Sequence, residues 1–152
     1  MKYIVIDTCI VLHILRGKEF AKKCLAEIDA FGENISIIVS AVTKAELESL
    51  KVQQNWSEKR CETLNTFLEN VIYIDISHTD KLLIDSYSLI DSFSKRKARD
   101  AKGNLLNDSA KTMGKNDLWI AATSHTLDIP LMTADGDFDH LNGTFINLKK
   151  IK

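Results

Sequence analysis

No stretch of this chain approaches the roughly 18 consecutive apolar residues that mark a membrane-spanning helix. The N-terminus also lacks the basic and apolar regions of a secretory signal and begins instead with the pattern of a strand. Cysteine is scarce and unpaired. Cys9, Cys24 and Cys61 are odd in number and form no Cys-x-x-Cys motif, which argues against a disulfide framework and suits a reducing, cytoplasmic environment. Charge of one sign is missing as well: 20 Lys and Arg stand against 21 Asp and Glu, so neither a histone-like binder nor an acidic tail is expected. Internal repeats, low-complexity tracts and linkers long enough to divide the chain are absent. What remains is the composition of an ordinary soluble protein, 45% hydrophobic and 27% charged over 152 residues. At that size a chain buries roughly 70% of the surface its unfolded form exposes, and one domain over 1–152 is expected.

The most informative stretch lies at the start, where Tyr3, Ile4, Val5 and Ile6 form an apolar run that stops at Asp7 and Thr8. A strand with one wet face would alternate apolar and polar residues, so this run predicts a strand covered on both faces. Ligands of open parallel sheets bind outside the carboxyl ends of the strands, which would set Asp7 at the rim of a crevice. Asp7 and Thr8 suit the capping of the next helix equally well. That helix is predicted over 9–15, ended by Arg16 and a C-capping Gly17. An amphipathic helix over 18–30 follows, with Phe20, Ala21, Leu25 and Ile28 inward. A strand is predicted over 35–39, then a helix opened by Ser40 that carries Val42, Ala45, Leu47 and Leu50. Ser57 starts a further helix with Cys61, Leu64, Phe67 and Leu68 as its buried stripe, before a strand over 71–74.

His78, Thr79 and Asp80 introduce a long helix whose apolar face is Leu82, Leu83, Tyr87, Leu89, Ile90 and Phe93. From 94 to 115 the composition turns basic, with glycines and asparagines, which predicts a long solvated loop. A capped helix begins at Asn116, a short strand over 131–133 runs into a turn over 134–138, and a last strand is predicted over 145–148. Strands separated by helices predict parallel βαβ units. The expected fold is therefore a three-layer α/β/α sandwich with a central parallel sheet.

Four carboxylates stand where such a sheet would gather them: Asp7 after the first strand, Glu46 in the helix after the second, Asp117 at a helix start and Asp135 past a late strand. Each has an ordinary explanation alone, as a solvated helix residue, a favourable charge at a helix N-terminus or a turn former. In one cleft they would raise one another's pKa unless a cation shared the site. His13, His78, His125 and His140 show no metal-binding spacing, and all-oxygen donors select magnesium or manganese over zinc.

Four stretches now stand in order: Asp7-Thr8 after its strand, Ser40 through Glu46 with Ala45-Glu46-Leu47, Asn116-Asp117-Leu118-Trp119-Ile120-Ala121-Ala122, and Thr133-Ala134-Asp135-Gly136-Asp137-Phe138. In that order they resemble a PIN domain, and are most similar to the VapC-like ribonuclease toxins of bacterial toxin-antitoxin pairs. The resemblance covers nearly the whole chain. It implies a magnesium- or manganese-dependent endoribonuclease that leaves a 5'-phosphate and a 3'-hydroxyl, often dimeric and held inactive by an antitoxin. It implies that Asp7, Glu46, Asp117 and Asp135 are the catalytic, metal-site acids, with Thr8 and Thr133 as hydroxyls around them and Asp137 as a further contributor. Asn116 is expected to cap its helix and orient Asp117, and Asp139 to lie at the surface.

The basic stretch over 94–115 is longer than a compact member of that family would carry. Lys95, Arg96, Lys97 and Arg99 would there track an RNA backbone, because phosphate contacts give sequence-independent affinity; a mobile solvated loop is the other reading. A haloacid-dehalogenase-like phosphatase would need an acid two residues after Asp7, where Cys9 stands, and a receiver domain would need an acidic pair beside Asp7. The alternative function is a PIN-like module that binds nucleic acid or protein with little turnover.

Overall fold

The apolar run at the start of the chain becomes the middle strand of a five-stranded sheet. The computed structural model describes residues 2–152. In chain order its elements are β1 (Lys2–Ile6), α1 (Thr8–Arg16), α2 (Glu19–Asp29), β2 (Ile35–Ser40), α3 (Ala41–Gln53), α4 (Glu58–Leu68), β3 (Val71–Ile74), α5 (Lys81–Ser94), α6 (Lys115–Leu127), β4 (Leu131–Thr133), a 3-10 helix (Gly136–Leu141) and β5 (Leu148–Lys150). The strands lie in the order β3-β2-β1-β4-β5, and every pairing is parallel.

Successive side chains of a strand point to opposite faces, and here both faces are covered. Ile4 and Ile6 of β1 enter one core with Val39 and Met132, under Ile10, Cys24, Ile28, Leu47 and Leu64 of α1 to α4. Val5 enters the other with Ile38 and Leu131, under Ile90, Phe93, Leu118, Ile120 and Phe138 of α5, α6 and the 3-10 helix. Ile4, Val5 and Ile6 are fully buried, each worth about 1.5–3 kcal/mol relative to exposure. The result is the expected three-layer α/β/α arrangement.

The chain leaves β1 toward β2 and β3, then crosses back to place β4 on the other side of β1. That reversal makes a switch point between β1 and β4, and the crevice of an open α/β sheet forms outside the carboxyl ends of such strands. The next residues there are Asp7 after β1 and Ala134 and Asp135 after β4.

Three local expectations need correction. The last strand is Leu148–Lys150, not 145–148. Phe145 and Ile146 are consecutive and both bury into the core under α5 and α6, which the alternation of a regular strand forbids; the segment makes one isolated bridge between Asn142 and Ile146. Leu82, Leu89 and Leu25 are exposed, Leu82 by 71%, because α5 buries the stripe Leu83, Ser86, Ile90 and Phe93 and α2 buries Ala21, Cys24 and Ile28. The segment over 95–114 holds no helix or strand, yet it is tied down. Leu106 and Met113 are buried in the core, and Lys111 N donates to Ser94 O at 2.7 Å. Ser94 Oγ in turn donates to Ile90 O at 2.8 Å and lies 2.7 Å from His140 Nε2.

Candidate active site

Asp7 takes both roles that its position allows. It is the N-cap of α1, with Oδ1 accepting from Ile10 N at 3.1 Å, and it is 3% exposed at the end of the central strand. The Cys9 thiol also donates to Oδ1, at 2.9 Å, while the Thr133 hydroxyl donates to Oδ2. Burial pushes the Asp7 carboxyl above its usual range, the bonds from Cys9, Thr133 and Ile10 oppose the rise, and the charge of Asp135 adds to it. Thr133 is the hinge between the two strand ends. Its hydroxyl serves Asp7 and accepts from Asp135 N at 2.9 Å, so β1 and β4 fix their acids through one oxygen.

Glu46 reaches the site from α3. Its Oε1 accepts from Thr8 Oγ1 at 2.8 Å, and Thr8 Oγ1 lies 3.1 Å from Thr43 Oγ1. Thr43, one turn before Glu46 on the same helix, is fully buried, so a hydroxyl relay holds the glutamate to the start of α1.

Asp117 sits at the third position of α6, where the helix dipole favours a charged carboxylate by about 0.3–1 kcal/mol. Other effects win. Burial, then the charges of Asp135, Asp7, Asp137 and Glu46, push its carboxyl up to about 6. All the other acids of the crevice therefore act on Asp117. Asp117, Asp135 and Asp137 each offer an oxygen within 4.8 Å of the others, and Asp135 Oδ1 accepts from Asp137 N at 2.9 Å to open the 3-10 helix. Among the described residues no ion pair neutralises any of these five acids. Asp139, by contrast, pairs with Lys150 at 2.8 Å and faces away.

Asn116 does not cap α6. The N-cap is Gly114, and Asn116 lies inside the first turn, exposed. It lines a groove of about 380 Å³ with Val42, Ala45 and Glu46 of α3, across from the glutamate instead of behind Asp117. Of the four cations singled out over 94–115, Arg96 and Arg99 line a second cleft beside the 3-10 helix, whereas Lys95 turns back to Asp91 at 3.1 Å and Lys97 is exposed. Sequence reasoning missed Cys9 and Thr43. The signal for Cys9 was its place two residues after Asp7 in the first turn of α1; for Thr43, its place one turn before Glu46.

Burial and the neighbouring Asp7 charge push the Cys9 thiol up to about 12. A shift of that size from 9.0 leaves a thiolate fraction about 1,000-fold below that of an ordinary thiol. Brief treatment of the native protein with iodoacetamide is therefore expected to leave Cys9 unmodified in peptide mapping. Rapid labelling would show that the thiol does not donate to Asp7.

A parallel sheet whose switch point gathers five carboxylates, with the Cys9 thiol held protonated against one of them, defines an α/β domain with an acidic site suited to a hard divalent cation. More narrowly, the chain belongs to the PIN domain family, whose model matches residues 4–143. Among solved structures it is similar to VapBC2 from Rickettsia felis bound to a DNA fragment from its promoter, with a TM-score of 0.74, 19% identity and 99% of each chain covered. It is similar too to VapBC-1 from nontypeable Haemophilus influenzae, with a TM-score of 0.67, 17% identity and 97% of each chain covered. A third is VapBC-5 from Mycobacterium tuberculosis, a member of the VapBC family of toxin-antitoxin systems, with a TM-score of 0.61, 19% identity, and 99% of this chain and 100% of that chain covered. At these identities the likeness speaks to fold. No curated protein matches the sequence. Among the described residues, no helix is long and apolar enough to cross a membrane.

Proposed function

We propose that the protein is a magnesium- or manganese-dependent endoribonuclease and the toxin of a toxin-antitoxin pair. The observation that carries this reading is the Asp117, Asp135 and Asp137 cluster, with oxygens within 4.8 Å and, among the described residues, no ion-pair partner, joined to Asp7 through Thr133. PIN domains are a family of nucleases, and a shared fold with VapBC complexes supports an antitoxin as partner. A homodimer is proposed on the same likeness. The complete set of acids favours turnover over a non-catalytic binding module.

The residues fit a hard divalent cation. Five carboxylates that raise one another's pKa favour either a proton on one of them or a cation among them, and the charged donors are all oxygen, as magnesium and manganese prefer. Asp117, Asp135 and Asp137 would hold it, with Glu46 and the buried Asp7 as further carboxylates of the site. When bound, such an ion neutralises phosphodiester charge and acidifies water. The chain's own part is positional. Thr133 and the Ile10 amide fix both oxygens of Asp7, Thr8 fixes one oxygen of Glu46, and Asp117, whose carboxyl burial and its acidic neighbours push up in the metal-free protein, would release that proton as the cation binds.

The test is RNA cleavage by the purified protein with magnesium, with manganese, and with chelator, followed by analysis of the product ends. Cleavage that requires metal and leaves 5'-phosphates is expected. Cleavage of equal rate in chelator would overturn the carboxylate mechanism.

A further inference from the structure

Beside the acid cluster, between the 95–114 segment and the 3-10 helix, lies a cleft of about 720 Å³. Arg96, Arg99, Asn104 and Asn107 line it from the segment, Phe93 from its floor and His140 from the 3-10 helix. Two acids also line it, Asp100 and Asp108, but both are engaged. Asp100 Oδ1 accepts the amides of Lys102 and Asn104, each at 2.9 Å; Asp108 pairs with Lys111 at 3.2 Å and accepts from Ser109 N. Arg99 gives one N-H to Gly103 O at 3.0 Å. Among the described residues, the Arg96 guanidinium and the side-chain amides of Asn104 and Asn107 have no partner. With Lys111 counted against Asp108, the cleft carries one more positive charge than negative, and it keeps an unpaired guanidinium and open amide groups.

Its placement links it to the acids. Asp137 of the cluster and His140 of the cleft are three residues apart on the 3-10 helix, where such side chains eclipse at a separation of ~6 Å along the axis. The wall opposite is anchored to the same helix, because Ser94, at the end of α5, lies 2.7 Å from His140 Nε2. The cluster and the cleft therefore share the 3-10 helix as a common wall.

Resting on the ribonuclease reading of the acid cluster, we propose that this cleft is a nucleotide subsite of the substrate strand. Arg96 and Arg99 hold the phosphate adjacent to the scissile one, and Asn104 and Asn107 read the edge of the base it carries. Guanidinium groups match phosphate geometry, and a concave, preformed pocket with amide groups accepts an unstacked base of single-stranded RNA, which a paired helix cannot offer. The phosphate contacts supply affinity and the amides supply base preference.

The test reads binding without cleavage. Fluorescence anisotropy of a labelled single-stranded RNA of about a dozen nucleotides is measured in chelator against salt. Four variants of the full chain join the wild type: Arg96→Gln/Arg99→Gln, Arg96→Gln alone, Asn104→Ala/Asn107→Ala, and Lys22→Gln/Lys23→Gln on the distant α2 as a charge control. The double arginine variant is expected to bind about tenfold more weakly, and its log-log salt slope to fall by about 0.7, the contribution on a single strand of the one phosphate the pair holds. Arg96→Gln, which removes no internal contact, should weaken binding and lower the slope in the same direction by part of that amount. Asn104→Ala/Asn107→Ala should keep the slope and flatten the preference for one base. An unchanged slope in both arginine variants, an equal loss in the lysine control, no RNA binding by the wild type, or displacement of the RNA by an acidic peptide at equal charge would each overturn the subsite. Because binding is read in chelator, a wild type that binds with this slope but cuts no RNA defeats the nuclease reading alone. Cleavage with unchanged slopes defeats the subsite alone.

Discussion

Asp117→Asn is expected to lower RNA cleavage by more than about 100-fold and, in the same protein, to raise the melting temperature of the metal-free form at neutral pH. The first part follows from its place among the three acids whose oxygens converge; changes merely behind a metal ligand cost about 10–100-fold, so loss of a direct one costs more. The second follows from the sign of its titration. The carboxyl is pushed from 3.8 up to about 6 in the folded state, by burial first and then by Asp135, Asp7, Asp137 and Glu46. Below about pH 4 both states are protonated and Asp117 contributes nothing. Between about pH 4 and 6 the folded state holds a proton that the unfolded state has lost, so stability falls as pH rises, and above about pH 6 the penalty is complete. Two units correspond to about 3 kcal/mol at face value, which solvent screening of this half-buried group reduces to about 1 kcal/mol. Asparagine avoids the penalty. The metal-free variant should therefore melt about 2–4 °C above wild type at neutral pH and converge with it near pH 4, while saturating magnesium should reverse the order. Equal melting at neutral pH would show that the acids do not act on Asp117, and retained cleavage would remove it from the site.

How much of this was legible before folding depended on whether a residue's role is set locally. The strand 3–6 was readable because a doubly covered strand is apolar at every position, and Ser40, Ser57 and Gly17 were readable as caps because side-chain oxygens and a left-handed glycine serve helix ends from one position away. The four acids stood out because parallel topology sends every strand's carboxyl end to one rim. Asp137 was harder, since a second acid in a turn looks like turn chemistry until the 3-10 helix brings it within reach of Asp117. Asn116 misled for a local reason: asparagine before an acid is a common helix start, yet the glycine two residues earlier takes that place here. The basic segment misled for a non-local one. Its cations, glycines and asparagines read as a solvated loop, but Leu106 and Met113 within it bury in the core and anchor it there. Leu82 and Leu89 erred oppositely, lying seven apart on a stripe beside the buried one, where nothing covers them among the described residues.

Asp7 gives the sharpest separation of structure from chemistry, because its two substitutions should part company in stability while agreeing in activity. Asp7→Asn retains an oxygen that can accept from Ile10 N, faces the Thr133 oxygen with an amide N-H that donates where the carboxylate accepted, and removes a buried charge whose desolvation already pushes the carboxyl up. Its melting temperature should stay within about 2–4 °C of wild type, the equivalent of about 1 kcal/mol. Asp7→Ala removes the cap of α1, worth about 1 kcal/mol. It also strips the acceptor from the Thr133 hydroxyl, which is fully buried, at a further cost of about 1–3 kcal/mol for an unsatisfied buried donor. The alanine variant should therefore melt roughly 5–10 °C lower. Both variants lack the charge at the carboxyl end of β1, and both should lose more than about 100-fold in RNA cleavage if Asp7 shares the cation with Asp117 and Asp135. Melting curves and cleavage rates on the pair read the two roles independently. An active asparagine variant would reduce Asp7 to a helix cap, and an alanine variant as stable as wild type would mean that the bonds to Ile10 and Thr133 contribute nothing to the fold.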